Sequence, residues 1–163
     1  MKITAIVLAA GKGTRMGSDV PKQYMEVNGK PVLCYSLESF EKSCVSDILI
    51  VTDSPSVSYV RNMAEQFGIS LVSSVIAGGS ERCFSVLNAL RYLVHSDQKP
   101  DYVLIHDGAR PYITSSAVDM LAEAVTRYRA VVAAAPSKDT IKVTDAEGFV
   151  KAITDRKIGR AHV

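Results

Sequence analysis

The sequence is short of surplus charge, of cysteine and of long apolar runs, and each shortage removes a class of protein. Lysine and arginine number 19 against 17 aspartates and glutamates, too even a balance to mark the whole chain as a nucleic-acid binder. Basic character is informative only where it is local. Cysteine occurs three times, at Cys34, Cys44 and Cys83. The odd number and the absence of metal-ligand spacing argue against a disulfide framework and for reduced thiols in a cytoplasm. No apolar stretch approaches the ~20 residues of a membrane span, and an N-terminus that passes straight into a predicted strand leads us to expect no signal peptide. Low-complexity tracts are missing as well. What is present is 163 residues, 47% of them apolar, which fits one domain with an ordinary core.

The most informative stretch is Ile6 to Lys22, IVLAAGKGTRMGSDVPK. Ile6, Val7 and Leu8 read as the end of a buried strand. Ala9 and Ala10 are small, and Gly11 and Gly13 lack a Cβ, so the backbone can turn sharply and bring its N–H groups close to an anion. Lys12, Arg15 and Lys22 are spread along the stretch with only Asp19 in opposition. A nucleoside triphosphate would need that charge, whereas a plain glycine-rich turn would not. A Walker loop is excluded because no Gly-Lys-Ser/Thr ending follows. A dinucleotide fingerprint fails because Met16 stands where the third glycine belongs and no acidic residue ends a second strand at the expected distance.

Further along, Met25 to Lys30 reads as an extended piece closed by an Asn-Gly turn. Pro31 opens a helix with Val32, Leu33, Leu37 and Phe40 on one face. Asp47 to Thr52 contains Ile48, Leu49, Ile50 and Val51 in unbroken succession, the mark of a parallel strand covered on both faces. Asp53 or Ser54 is expected to cap the next helix, with Pro55 in its first turn and Gly68 at its end. Ser70 to Ile76 is a third strand, followed by Ala77-Gly78-Gly79-Ser80-Glu81-Arg82, with Ser80 as the expected cap of a helix through Val86, Leu87, Leu90, Leu93 and Val94.

Tyr102 to His106 is a fourth strand, and Asp107 follows at its carboxyl end. Ligands bind there in open α/β sheets, and a carboxylate can hold a hard cation through oxygen, so Asp107 is the metal-ligand candidate. His106 reads as a structural residue. Ser115 or Ser116 begins another helix, Ala130 to Ala135 is a further strand, and Ile141–Val143 and Phe149–Ile153 form a hairpin around Asp145-Ala146-Glu147-Gly148.

Three strings carry a resemblance: L-A-A-G-K-G-T-R-M-G with P-K-Q-Y, G-G-S-E-R with Ser85, and H-D-G-A-R-P. They are similar to markers of the sugar-nucleotide transferase superfamily, and most of all to the 2-C-methyl-D-erythritol 4-phosphate cytidylyltransferase (IspD) family of the non-mevalonate isoprenoid pathway. The resemblance implies a three-layer α/β fold, a mostly parallel twisted Rossmann-like sheet with a β-hairpin arm. Residues 1–157 would be the catalytic domain, with the arm at about 137–156. It also implies CMP transfer from CTP to a polyol phosphate with Mg²⁺, in a homodimer joined through the arm, without nucleic acid or membrane as partner. Leu8, Ala9, Ala10, Gly11, Gly13, Gly79, Arg82, Ser85, Asp107 and Gly108 would bind the nucleotide, with Asp107 also holding the metal. Arg15 and Lys22 are assigned to the charge developing on the α-phosphoryl group. Thr140 and Arg156 match the arm residues that hold the acceptor phosphate in the partner's site.

Ile158 to Val163 departs from the family's pattern and looks like translated adapter sequence. A non-native tail over 158–163 and a missing C-terminal part, with a second metal-binding Asp and an acceptor-binding Lys, are therefore expected. Three alternatives stay open: the sister enzyme acting on ribitol 5-phosphate, an inactive nucleotide-binding fragment, and a non-enzymatic α/β module, which would leave the loop cations without a purpose.

Overall fold

The computed structural model describes residues 1–11, 20–136, 140, 142–153 and 159–161. Gly13, Arg15 and Arg156 fall outside the described residues. In chain order, β1 (Ile3–Leu8) leads through a tight 3-10 turn at Lys22–Tyr24 to a small hairpin, β2 (Glu26–Val27) and β3 (Lys30–Pro31). Asn28 and Gly29 form its turn with φ of 52° and 73°, the left-handed pair that a two-residue hairpin connection requires. Next come α1 (Val32–Glu41), β4 (Asp47–Thr52), α2 (Val57–Gln66), β5 (Val72–Ala77), α3 (Arg82–Val94), β6 (Tyr102–Asp107) and α4 (Ser115–Tyr128).

The main sheet has the order β5-β4-β1-β6, and all three pairings are parallel. Ile6 lies between Leu49 and Ile105 in register. Successive side chains of a strand point to opposite faces, which is why these segments are apolar throughout. Val7, Ile48 and Ile50 pack on one face with Leu33, Leu37 and Phe40 of α1, Val60 and Met63 of α2 and Val118 and Ala122 of α4. Ile6, Leu49 and Val51 pack on the other face with Ala89 and Leu93 of α3. The result is the three-layer α/β arrangement expected from the sequence.

Four local expectations need correction. Neither Asp53 nor Ser54 caps α2: Pro55 sits in a separate 3-10 turn at Ser54–Ser56, closed by the Ser56 N–H on the Asp53 carbonyl at 3.1 Å, and the α-helix starts only at Val57. Ser80 does not cap α3. Glu81 occupies that position with no side-chain cap bond, while Ser85, inside the helix, takes the Gly79 N–H at 3.1 Å and donates to the Glu81 carbonyl at 3.2 Å. The apolar stripe of α3 is also narrower than its sequence suggests, since Leu87 and Val94 are 39% and 59% exposed.

The strand expected from Ala130 begins only at Ala134. Arg129 leaves α4 at φ 65° with its N–H bonded to the Val125 carbonyl, and the chain becomes extended afterwards as β7 (Ala134–Pro136). The expected hairpin is present as β8 (Lys142–Thr144) and β9 (Val150–Ile153), antiparallel, with Gly148 at φ 89° in its turn. Its described residues are exposed. Finally, β10 (Gly159–Ala161) pairs antiparallel with β7, so the backbone of this part of the C-terminal hexapeptide joins a two-stranded ladder.

Candidate active site

The strand ends of the main sheet meet around a cleft of about 830 Å³, lined by Leu8, Ala9, Ala10 and Gly11 after β1, Asp53 after β4, Gly79 to Arg82 and Ser85 after β5, Asp107, Ala109 and Arg110 after β6, and by Lys22 and Gln23. Its floor is an extension of the sheet ladder. The Gly108 N–H bonds the Leu8 carbonyl at 2.8 Å, the Ala9 N–H bonds Val51 at 2.7 Å, and the Gly78 N–H bonds Thr52 at 2.7 Å. Three segments far apart in sequence are thus held backbone to backbone, at the carboxyl edge where open α/β sheets bind ligands. Beyond this ladder, the N–H groups of Ala10 and Gly11 have no hydrogen-bond partner among the described residues, which leaves them available to an anion.

Close approach explains two of the glycines. A Cβ on Gly108 would lie 2.7 Å from Leu33 Cδ1 and 3.1 Å from the Leu8 carbonyl oxygen. One on Gly79 would lie 2.3 Å from the Cβ and 3.1 Å from the backbone carbonyl carbon of Phe84, so the first turn of α3 would have to move. Gly79→Ala is expected to cost ~1–3 kcal/mol of stability by overpacking. A melting curve checks this, and an unchanged midpoint would contradict it.

The electrostatic centre is Asp107. One carboxylate oxygen accepts from Arg82 Nε at 3.1 Å, and the other forms an ion pair with Arg110, its Nε 3.2 Å away. Arg110 is fixed by its backbone, whose carbonyl accepts from Ser36 Oγ at 3.2 Å and from His106 Nε2 at 3.1 Å. His106 also packs edge-on against Phe40 at 5.4 Å, and burial pushes its pKa down. It is the structural residue that the sequence suggests. Cys34 is buried with its thiol pushed up to about 11, an inert group, and all three cysteines are free.

Among the described residues no three His, Cys, Asp or Glu side chains gather around a metal position. A magnesium site needs less than that, since one or two carboxylates with substrate phosphates and water commonly complete it. Asp107 fits as such a single hard ligand, provided the two guanidinium groups yield one of its oxygens.

Lys22 lines the cleft and makes no ion pair among the described residues. Ser85 lines it too, its hydroxyl accepting from the Gly79 N–H and donating to the Glu81 carbonyl, with one acceptor lone pair left over. Thr140 is exposed and lies away from the cleft lining. Gln23 and Asp53 are lining residues that the sequence reading does not single out. Gln23 stands inside the P-K-Q-Y string, but nothing in a string says that a glutamine will be buried.

The family model described as 2-C-methyl-D-erythritol 4-phosphate cytidylyltransferase (IspD) matches residues 3–161. A protein of that name from Lachnoclostridium phytofermentans is 45% identical over 156 residues, covering 95% of this chain and 65% of the relative. One from Lachnospira eligens is 46% identical over 155 residues, covering 94% and 66% respectively. The chain therefore spans about two thirds of the length of these relatives. The crystal structure of a 4-diphosphocytidyl-2C-methyl-D-erythritol synthase from Anaerococcus prevotii superimposes with a TM-score of 0.79 over 99% of this chain and 67% of that one, at 24% identity, which bears on the fold.

Proposed function

The chain belongs to the 2-C-methyl-D-erythritol 4-phosphate cytidylyltransferase family, and on that premise we propose that it transfers CMP from CTP to 2-C-methyl-D-erythritol 4-phosphate. The products are 4-diphosphocytidyl-2-C-methyl-D-erythritol and pyrophosphate, in the non-mevalonate route to isoprenoid precursors. The observation that carries the reading is that three sequence-distant segments, after β1, β5 and β6, line one cleft with unspent backbone donors and Lys22.

In this reaction one phosphate anion, the acceptor, attacks the α-phosphorus of another in line and expels pyrophosphate. Positioning and charge stabilisation do nearly all the work, and no nucleophilic side chain is required. The N–H groups of the loop from Ala10 to Gly13 cradle the triphosphate. Arg15 and Lys22 oppose the charge that develops on the α-phosphoryl oxygens. Gly79, Arg82 and Ser85 order the cytosine and ribose side, and Leu8, Ala9 and Gly108 form the floor beneath. Asp107 would hold Mg²⁺, which when bound neutralises charge across the phosphate oxygens.

Arg156 would offer a planar fork to the acceptor phosphate, and Thr140 is assigned to the same phosphate. Both belong to the arm, and we place their action in the partner's cleft. The exposure of Phe149 and Ile153 on the hairpin, 73% and 64%, supports an arm that is completed by a second subunit, because an isolated two-stranded hairpin is marginal in water. The three free thiols are consistent with a cytoplasmic setting.

The test is pyrophosphate release from CTP and Mg²⁺, with either methylerythritol phosphate or ribitol 5-phosphate as acceptor. This chain is to be assayed beside one extended to the length of its relatives. Release by the extended chain with methylerythritol phosphate alone is the expected result. Preference for ribitol 5-phosphate would reassign the acceptor, and no release with either would leave only the nucleotide-binding fold.

A further inference from the structure

Gln23 is 4% exposed, and its burial is specific. Its side-chain amide nitrogen donates to the Ala9 carbonyl at 2.6 Å and to the Gly11 carbonyl at 3.0 Å. Both protons of one amide are therefore spent on alternate carbonyls of the loop that begins the phosphate cradle. A planar trans peptide points its C=O and its N–H in opposite directions. Holding the Ala9 carbonyl against Gln23 consequently turns the Ala10 N–H, which shares that peptide unit, away from Gln23. That N–H has no partner among the described residues.

The same glutamine is joined to the cation opposite the phosphates. It is the middle residue of the Lys22–Tyr24 turn, which is closed by the Tyr24 N–H on the Pro21 carbonyl at 2.9 Å and by the Met25 N–H on Lys22 at 3.3 Å. Tyr24 anchors the far side, with its hydroxyl hydrogen-bonded to the fully buried Thr52. Lys22 and Gln23 are neighbours in one turn and both line the cleft, Gln23 being fastened to the loop carbonyls as well.

We propose that Gln23 is a positioning residue for the triphosphate. Its amide holds the carbonyls of Ala9 and Gly11 so that the loop donors face the cleft, and it keeps Lys22 in register with them. The proposal rests on the nucleotide reading given under Proposed function. Carboxylate or thioether groups of the same length cannot replace the amide, since neither donates two hydrogen bonds.

The experiment measures binding of CTP and of cytidine, which has no phosphates, to the unsubstituted chain, to Gln23→Met and to Gln23→Glu, with a melting curve for each. In both variants the Kd for CTP is expected to rise about tenfold or more, the scale set by one buried hydrogen-bonding group left without its partner. The Kd for cytidine should stay within about twofold, inside the spread of ordinary surface effects. The Glu variant should be the weaker CTP binder, because its charge faces two carbonyl oxygens and the triphosphate. An equal loss for both ligands would reduce Gln23 to a structural residue and overturn the proposal, as would unchanged CTP binding by a folded variant. If Gln23→Met does not fold, Gln23→Glu, which keeps the side-chain shape, decides between the same outcomes. Failure of the unsubstituted chain to bind CTP would overturn the nucleotide reading itself, and this inference with it.

Discussion

Replacing Lys22 by alanine in the family-length protein is expected to lower the turnover number for pyrophosphate release by ~10²–10³, the usual cost of removing one preorganised charge partner. CTP affinity should change far less, because the proposed backbone cradle and Arg15 would still oppose the triphosphate. The physical reason is timing: charge concentrates on the α-phosphoryl oxygens only as the acceptor attacks, and a fixed ammonium in the cleft is most useful then. Lys22 is suited to that role by its place in a 3-10 turn closed on both sides, so its Cα does not have to be ordered during the reaction. Steady-state kinetics separate the possibilities. A loss in kcat with little change in KM for CTP supports the assignment, a rise in KM alone would make Lys22 a ground-state binder, and equal rates would remove it from the chemistry.

Asp107→Ala is expected to give opposite signs in two measurements. Pyrophosphate release should fall by a similar ~10²–10³, since the cleft loses the carboxylate proposed to hold the metal against the phosphates. Binding of metal-free CTP should tighten. In the unsubstituted protein Asp107 forms ion pairs with both Arg82 and Arg110, so part of the positive charge around the cleft is neutralised internally. Removing the carboxylate leaves two guanidinium groups facing the triphosphate. These arginine side chains are roughly half exposed, and the tightening should fade as salt screens them. Titration of CTP in the presence of a chelator, at low and at high salt, gives the sign. Weaker metal-free binding in the variant would mean that Asp107 orders the arginines more than it neutralises them.

How far the sequence could be read depended on whether the determinants were local. Ile48 to Val51 announces its place because a parallel strand covered by helices on both faces is apolar at successive positions, and the strand is indeed buried from Ile48 to Thr52. Asn28-Gly29 announces its turn because few residues tolerate two successive positive φ values. The hairpin of Lys142 to Ile153 is legible for the same kind of reason. The cap of α3 was not legible, because Ser80 and Ser85 are equally plausible partners for a nearby N–H until the loop geometry chooses between them. Nor was the length of β7, which depends on how many residues α4 needs to end. Within the site, the glycine segments could be found as strings, but two relationships could not. The Asp107 carboxylate meets Arg82 across 25 positions of sequence. Gln23 is buried only because the Ala9 and Gly11 carbonyls, which its own string does not contain, point at it.

The position of β1 between β4 and β6 also orders events in time. A chain leaves the ribosome N-terminus first, so Ile3–Leu8 is made before the other strands of this sheet, yet its partner on one side starts at Asp47 and on the other at Tyr102. Parallel pairings of this span are intrinsically slow, because loop closure must precede any gain from the contacts. Lys2 repeats the pattern at the strand's edge, bonding Gln98 and Asp101 with its side chain and backbone N–H. The segment that follows β1 waits on the same partner: the Gly108 N–H that bonds the Leu8 carbonyl is translated after both neighbouring strands, although Ala9 to Gly11 precede them in the chain.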